Sequence, residues 1–308
     1  MGAPGPGRAA RMYGVFELQP SWAGRAKAFG LAVAWVALWA ALLVATVYGL
    51  IFVGLLPADV MRSANPPDIT PGGVELAHAT LAAVTVAATV IMAWLTREKV
   101  AHFGFAQHRA GRQLLIGLAT GLVLMSGTLA LMAALGAFAF GQVTISADHI
   151  VAEVAKYALF FVLVAVAEEL WFRSFTLVQL SRALSFWPAA VLMSGLFLLS
   201  HTVNIGENPL GLLAAALVGL VLAYSFRRTG ALWFALGFHA AWDYAESFLF
   251  GVPDSGGVLP GALMRSTFHG PVWLTGGSVG PEGSVLVYAA LIILVLVIRF
   301  VLPRSEAT

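Results

Sequence analysis

A chain of 308 residues that is 60% hydrophobic and only 10% charged lies far from the roughly 25% charged content of soluble domains, which excludes a water-soluble globule and indicates an integral membrane protein. Its net charge of +2, from 17 basic against 15 acidic residues, is spread through short connections between apolar runs, which argues against nucleic acid as a partner. With no cysteine there is no disulfide framework, thiolate nucleophile or cysteine-based zinc site, so any metal has to rest on histidine and carboxylate.

Residues 1–28 read as a polar cytoplasmic arm. The first apolar run, 29–56, is too long for the core of a cleavable signal peptide and reads as a retained span. Pro6 stands where a myristoylation signal needs Ser or Thr, and the final residues carry no prenylation box, so no lipid anchor is expected. Further runs of about 20 residues, enough to cross a bilayer, follow at 75–95, 114–139, 155–181, 186–203, 209–226, 231–250 and 284–302. The expected fold is all-α: one polytopic membrane helix bundle of about eight transmembrane helices over 29–302, with a cytoplasmic tail at 303–308. Gly117 and Gly121 form a G-x-x-x-G helix-contact pattern, common by chance in a chain with 32 glycines. The Gly276–Gly283 stretch lacks the Lys and Ser/Thr of a phosphate loop and reads as a turn-rich outer cap.

Charge sets the expected orientation. With the amino terminus inside, thirteen basic residues fall in inner connections, among them Arg97, Lys99, Arg182, Arg227 and Arg228, and three in outer ones, Arg62, Lys156 and Arg265. That asymmetry favours both termini in the cytoplasm and an even number of spans.

The chemistry concentrates in three spans. Glu168 and Glu169 are adjacent in an otherwise apolar segment, with Arg173 four residues after Glu169. Each such charge costs about 2.5–3.5 kcal/mol near the centre of a membrane helix. Phe197 precedes His201 by four, and His239 precedes Asp243 by four, a spacing that stacks side chains on one helical face. At about 1.5 Å per residue from the basic residues at the helix ends, Glu168 lies about 21 Å deep, His239 about 16 Å and His201 about 22 Å. The three share a level only if the fourth helix continues to Arg182. Carboxylate and histidines from three helices at one depth are what is needed to hold and deprotonate a water.

Each residue also has a bland role. Glu169 and Arg173 suit a packing ion pair, although one arginine cannot satisfy two adjacent carboxylates. A lone membrane histidine is as well suited to an interhelical hydrogen bond as to ligation, and Phe197 suits plain core. His269 and Glu282 in the outer loop, and His102 and His108 in the inner one, are expected to be solvated. Glu246 belongs either to the pocket rim or to the water at its helix end. No H-E-x-x-H helix, G-x-S-x-G elbow or Ser and His pairing of rhomboid type is present.

In order, spacing and helical setting, Glu168-Glu169-x-x-x-Arg173, Phe197-x-x-x-His201 and His239-x-x-x-Asp243 resemble the three signature motifs of the CAAX protease and bacteriocin-processing family of intramembrane proteases. The likeness covers about 150–250 and extends to the run Arg228–Trp233 leading into Gly237–Trp242. It implies about eight spans around an inner conical cavity and hydrolysis of a peptide bond. Glu168 would be the general base, His201 and His239 would orient the water, and Glu169, Arg173, Phe197 and Asp243 would complete the site. The resemblance leaves open whether Glu168, His201 and His239 instead hold a divalent metal such as zinc. The third motif of the family most often ends in Asn; Asp243 cannot donate a hydrogen bond when ionised.

The reading is therefore an intramembrane endopeptidase of a bacterial inner (plasma) membrane, with a peptide or protein substrate entering from the membrane or cytoplasmic side and the lipid bilayer as its other partner. The competing one is a non-proteolytic membrane scaffold, or an immunity or signalling protein, of the same family. A transporter is disfavoured, because no duplicated pair of Gly- or Pro-broken helices appears.

Overall fold

The structure, a computed structural model, describes residues 14–56, 71–204 and 206–304. Each of the eight expected segments contains helix. In chain order these are α1 (Trp22–Phe52), α2 (Pro71–Leu95), α3 (Ala110–Ala134), α4 (Ile150–Arg173), α5 (Phe175–Leu184), α6 (Phe186–His201), α7 (Pro209–Thr229), α8 (Trp233–Asp243) and α9 (Val287–Phe300). The expected all-α polytopic bundle is what forms. Among the described residues the regular β-structure is a two-residue antiparallel ribbon, Phe138–Ala139 against Thr267–Phe268. Among the described residues, five helical stretches, with α4 and α5 taken together, are long and apolar enough to cross a membrane, and α6 and α9 are shorter apolar helices. Large apolar side chains such as Phe52, Trp94 and Phe300 face outward, as a lipid-facing surface requires. Arg8, Arg11, Arg62 and both ends of the chain lie outside the described residues.

Local chemistry sets the helix ends. Ser21 Oγ accepts from the Gly24 amide at the start of α1, and Asn208 Oδ1 accepts from the Leu210 and Gly211 amides at the start of α7. Gly230, at φ 73°, ends α7 in the left-handed conformation that suits glycine. The fourth expected helix, 155–181, is broken at Ser174 (φ −93°, ψ −116°). There the Ser174 hydroxyl donates to the Phe103 carbonyl at 2.6 Å, and the chain resumes as α5. Arg182, in the last turn of α5, donates twice to Glu98 at 2.7 Å. Partial burial pushes the Glu98 carboxyl up, but hydrogen bonds from Arg182 and His102 outweigh it and bring the group down to about 2. Arg228 similarly ties α7 to the carbonyls of Arg299, in the last turn of α9, and Leu302 just beyond it. Connections expected on one side of the membrane thus meet one another at one end of the bundle, and the 138/268 ribbon joins those expected on the other.

The closest helix crossing is between α3 and α8. A Cβ on Gly117 would lie 2.3 Å from the Phe234 carbonyl oxygen, one on Gly121 2.3 Å from that of Phe238, and one on Gly237 2.4 Å from that of Leu114. The G-x-x-x-G pattern is thus the contact that seats the helix carrying His239 and Asp243. More peripherally, α1 is pinned to α2 by Trp39 Nε1 donating to Thr85 Oγ1 at 2.9 Å and Trp35 Nε1 to Thr89 Oγ1 at 3.3 Å.

Candidate active site

A cavity of about 380 Å³ opens between α4, α6, α7 and α8, and Glu168, Glu169, Arg173, Phe197, His201, His239 and Asp243 all line it. The two adjacent glutamates have separate environments. Glu169 is fully buried, and its Oε1 accepts from Arg173 Nη1 one helical turn away and from His239 Nδ1 at 2.8 Å. Glu168 turns into the cavity with its side chain 36% exposed, and its Oε2 is 3.7 Å from His239 Nε2. Asp243 Oδ2, one turn further along α8, lies 3.3 Å from the same nitrogen.

His201 is the last residue of α6. Its Nδ1 donates to the Phe197 carbonyl at 2.8 Å; a carbonyl can only accept, so Nδ1 carries the hydrogen and Nε2 holds the lone pair of the neutral ring. The Phe197 ring lies 4.4 Å from the His201 ring, and the Arg173 guanidinium lies 4.8 Å from the Phe197 ring centre. Phe197 thus touches both the cation that serves Glu169 and the second histidine. The backbone of Gly219 supports this corner by accepting from Arg173 Nε at 3.3 Å.

Several lining residues carry no such sequence signal. His78 of α2 joins the wall, edge-on to Phe160 at 4.9 Å. Glu282, expected to be solvated, is instead turned inward: its Oε1 accepts from Trp242 Nε1 at 3.1 Å and its Oε2 from Ser255 at 2.6 Å. Asp254 lines the same cavity. Burial, and then the Asp243 charge, push both the Asp254 and Glu282 carboxyls above their ordinary range. Glu246 is fully buried rather than facing water. Asp254 and Glu282 lie in loops and Glu246 at a helix end, where periodicity says nothing of direction; of the three, Glu246 alone has the pocket rim among its sequence-based expectations.

For metal ligation, the one set of three or more candidate groups among the described residues whose ligand atoms all lie within 4.8 Å of one another is Glu246, Asp254 and Glu282. Glu168 and His239 are neighbours, while the hydrogen bond that fixes His201 is made within its own helix to Phe197.

Residues 150–245 match the family described as type II CAAX prenyl endopeptidase Rce1-like. The likeness covers about a third of the chain. It runs from the start of α4 to just past Asp243 and so contains all three motifs, in agreement with the resemblance read from their spacing. Among curated proteins and among solved structures nothing matches the chain.

Proposed function

We propose that the chain is an intramembrane endopeptidase in which Glu168 activates the water that attacks a peptide carbonyl. The observation that carries the reading is the division of labour between adjacent carboxylates. Glu169 is committed to Arg173 and His239, while Glu168 faces the cavity beside His239 Nε2. A general base needs an uncommitted lone pair next to the water it deprotonates. Glu168 takes one proton as the water oxygen bonds to the carbonyl carbon, then returns it to the amine nitrogen as the C–N bond breaks. His239 has acceptors at both ring nitrogens, Glu169 at Nδ1 and Asp243 and Glu168 at Nε2, so it is set to carry hydrogen on both and to donate from Nε2 to the developing oxyanion. Asp243 is then a positioning residue for His239, which removes the need for the donor that Asn supplies in the family pattern. His201, through Nε2, orients the water. The likeness to the Rce1-like family favours a peptide substrate, met from the membrane or cytoplasmic side in a bacterial inner membrane.

A divalent metal such as zinc on Glu168, His201 and His239 is the other form of this chemistry. Those three groups do not make a compact donor set among the described residues. The test is cleavage of a quenched fluorescent peptide library by the purified protein in detergent, for wild type and Glu168→Gln, with and without chelator. The expected result is wild-type cleavage that falls at least about 100-fold in the variant with thermal stability unchanged, and that survives chelation. Well-folded wild type without activity, or a variant that loses stability rather than turnover, would move the reading to a non-proteolytic scaffold.

A further inference from the structure

Beyond the motif residues, three carboxylates from three separate places in the chain gather at the edge of the cavity, which Asp254 and Glu282 line. Glu246 belongs to a six-residue π-helical stretch, Tyr244–Leu249, that continues α8. Asp254 lies in the loop just after it, and Glu282 in the turn before α9. One oxygen from each lies within 4.8 Å of the others. Two oxygens that share a calcium ion at roughly 2.4 Å can stand no further apart than about 4.8 Å, so the three already satisfy the spacing of a common ion.

Their hydrogen bonding is unequal, and the inequality points to a missing partner. Asp254 Oδ2 accepts from Ser247 at 3.0 Å, and Glu282 is held by Ser255 and Trp242. Glu246 is fully buried, and neither of its carboxylate oxygens finds a donor. Among the described residues no Lys or Arg pairs with any of the three. A buried carboxylate without a donor or a counter-charge is among the costliest groups a protein can hold. Next to Glu246 Oε1 the loop makes a close approach: a Cβ on Gly280 (φ 98°) would lie 3.1 Å from that oxygen and 1.9 Å from the Pro253 carbonyl oxygen. On this side the orphan carboxylate therefore faces loop backbone rather than a side-chain donor.

We propose that Glu246, Asp254 and Glu282 form a calcium site that fastens the outer loop to the end of α8. An all-oxygen, carboxylate-rich donor set excludes soft metals and selects a hard divalent cation. Three carboxylates assembled from a helix end and two loop positions suit the variable coordination of Ca²⁺ better than Mg²⁺, which keeps most of its water and takes one or two carboxylates. The ion would join the segment carrying His239 and Asp243 to both ends of the connection into α9, closing one wall of the cavity. This site does not depend on the hydrolysis reading; its readouts are ion binding and thermal stability.

The experiment uses the purified full chain in detergent. Thermal unfolding is followed in EGTA, in saturating Ca²⁺ and in equal Mg²⁺, and Tb³⁺ luminescence is excited through tryptophan, Trp242 being bonded to Glu282. Expected are a saturable rise in Tm of roughly 5 °C with Ca²⁺, a smaller one with Mg²⁺, and Tb³⁺ emission that Ca²⁺ displaces. Glu246→Gln should abolish shift and emission together; Asp254→Asn serves as the second variant should the first fail to fold. Absence of a Ca²⁺ shift in wild type, or a shift and emission that persist in the variants, overturns the site and leaves the carboxylates sharing protons. An equal Mg²⁺ shift overturns the choice of ion.

Discussion

At the Arg173 end of the cavity, Glu169 sits at zero exposure and is matched twice, by a guanidinium one turn away and by an imidazole from another helix. At the opposite end, Glu246 is buried as deeply, with two carboxylates for neighbours and no donor at all. The same side chain at the same burial is thus a neutralised structural element in one place and an open valence in the other. What separates them is whether the chain itself supplies the counter-charge, and removing a charge should therefore act oppositely at the two ends.

Arg173→Met should give the largest loss. It strands Glu169 as a buried, uncompensated charge, expected to cost about 3–5 kcal/mol, which denaturant or thermal unfolding in detergent would register. A change under about 1 kcal/mol would mean that Glu169 is already neutral and that the two ends are alike. Next comes Gly121→Val, which leaves all charges in place but drives a side chain into the Phe238 carbonyl. A loss of about 1–3 kcal/mol or more is expected, together with lower turnover as His239 is displaced. Glu98→Gln tests a matched pair outside the membrane spans. It should lose about 1–3 kcal/mol at neutral pH. Folding holds the Glu98 carboxyl at about 2, below its ordinary 4.5, so its contribution is full above about pH 4.5 and fades as pH falls toward 2. The stability gap between wild type and variant should close across that window. The smallest effect belongs to Glu246→Gln measured in chelator: no loss, or a slight gain, because a buried carboxyl without a hydrogen-bond donor has been replaced. A loss of 2 kcal/mol or more under those conditions would erase the contrast.

Much of this was legible in the residues themselves. Apolar length located all eight helical segments, and a spacing of four within each motif placed Arg173 on Glu169 and Asp243 on His239, because that spacing is fixed by helical geometry. The depth estimate rests on a fourth helix unbroken to Arg182, and the break at Ser174 removes that premise; Glu168 and His239 nonetheless stand 3.7 Å apart. What periodicity could not report was tertiary. The break at Ser174 depends on a carbonyl 71 residues earlier. The value of Gly117 and Gly121 depends on what crosses them, and 32 glycines made that pattern indistinguishable from chance. Glu282 looked like any polar loop residue until Trp242 and Ser255 turned it inward.

The glycine crossing also separates the two histidines mechanically. His239 rides mid-helix on a segment whose main chain touches that of α3 at three points, so it can shift only if two helices travel as one body. His201 occupies the final residue of α6, followed directly by a turn, where a small change of backbone angle swings the ring without moving any helix. One side of the cavity is an anvil and the other a hinge, and whatever enters must be accommodated by the side that gives.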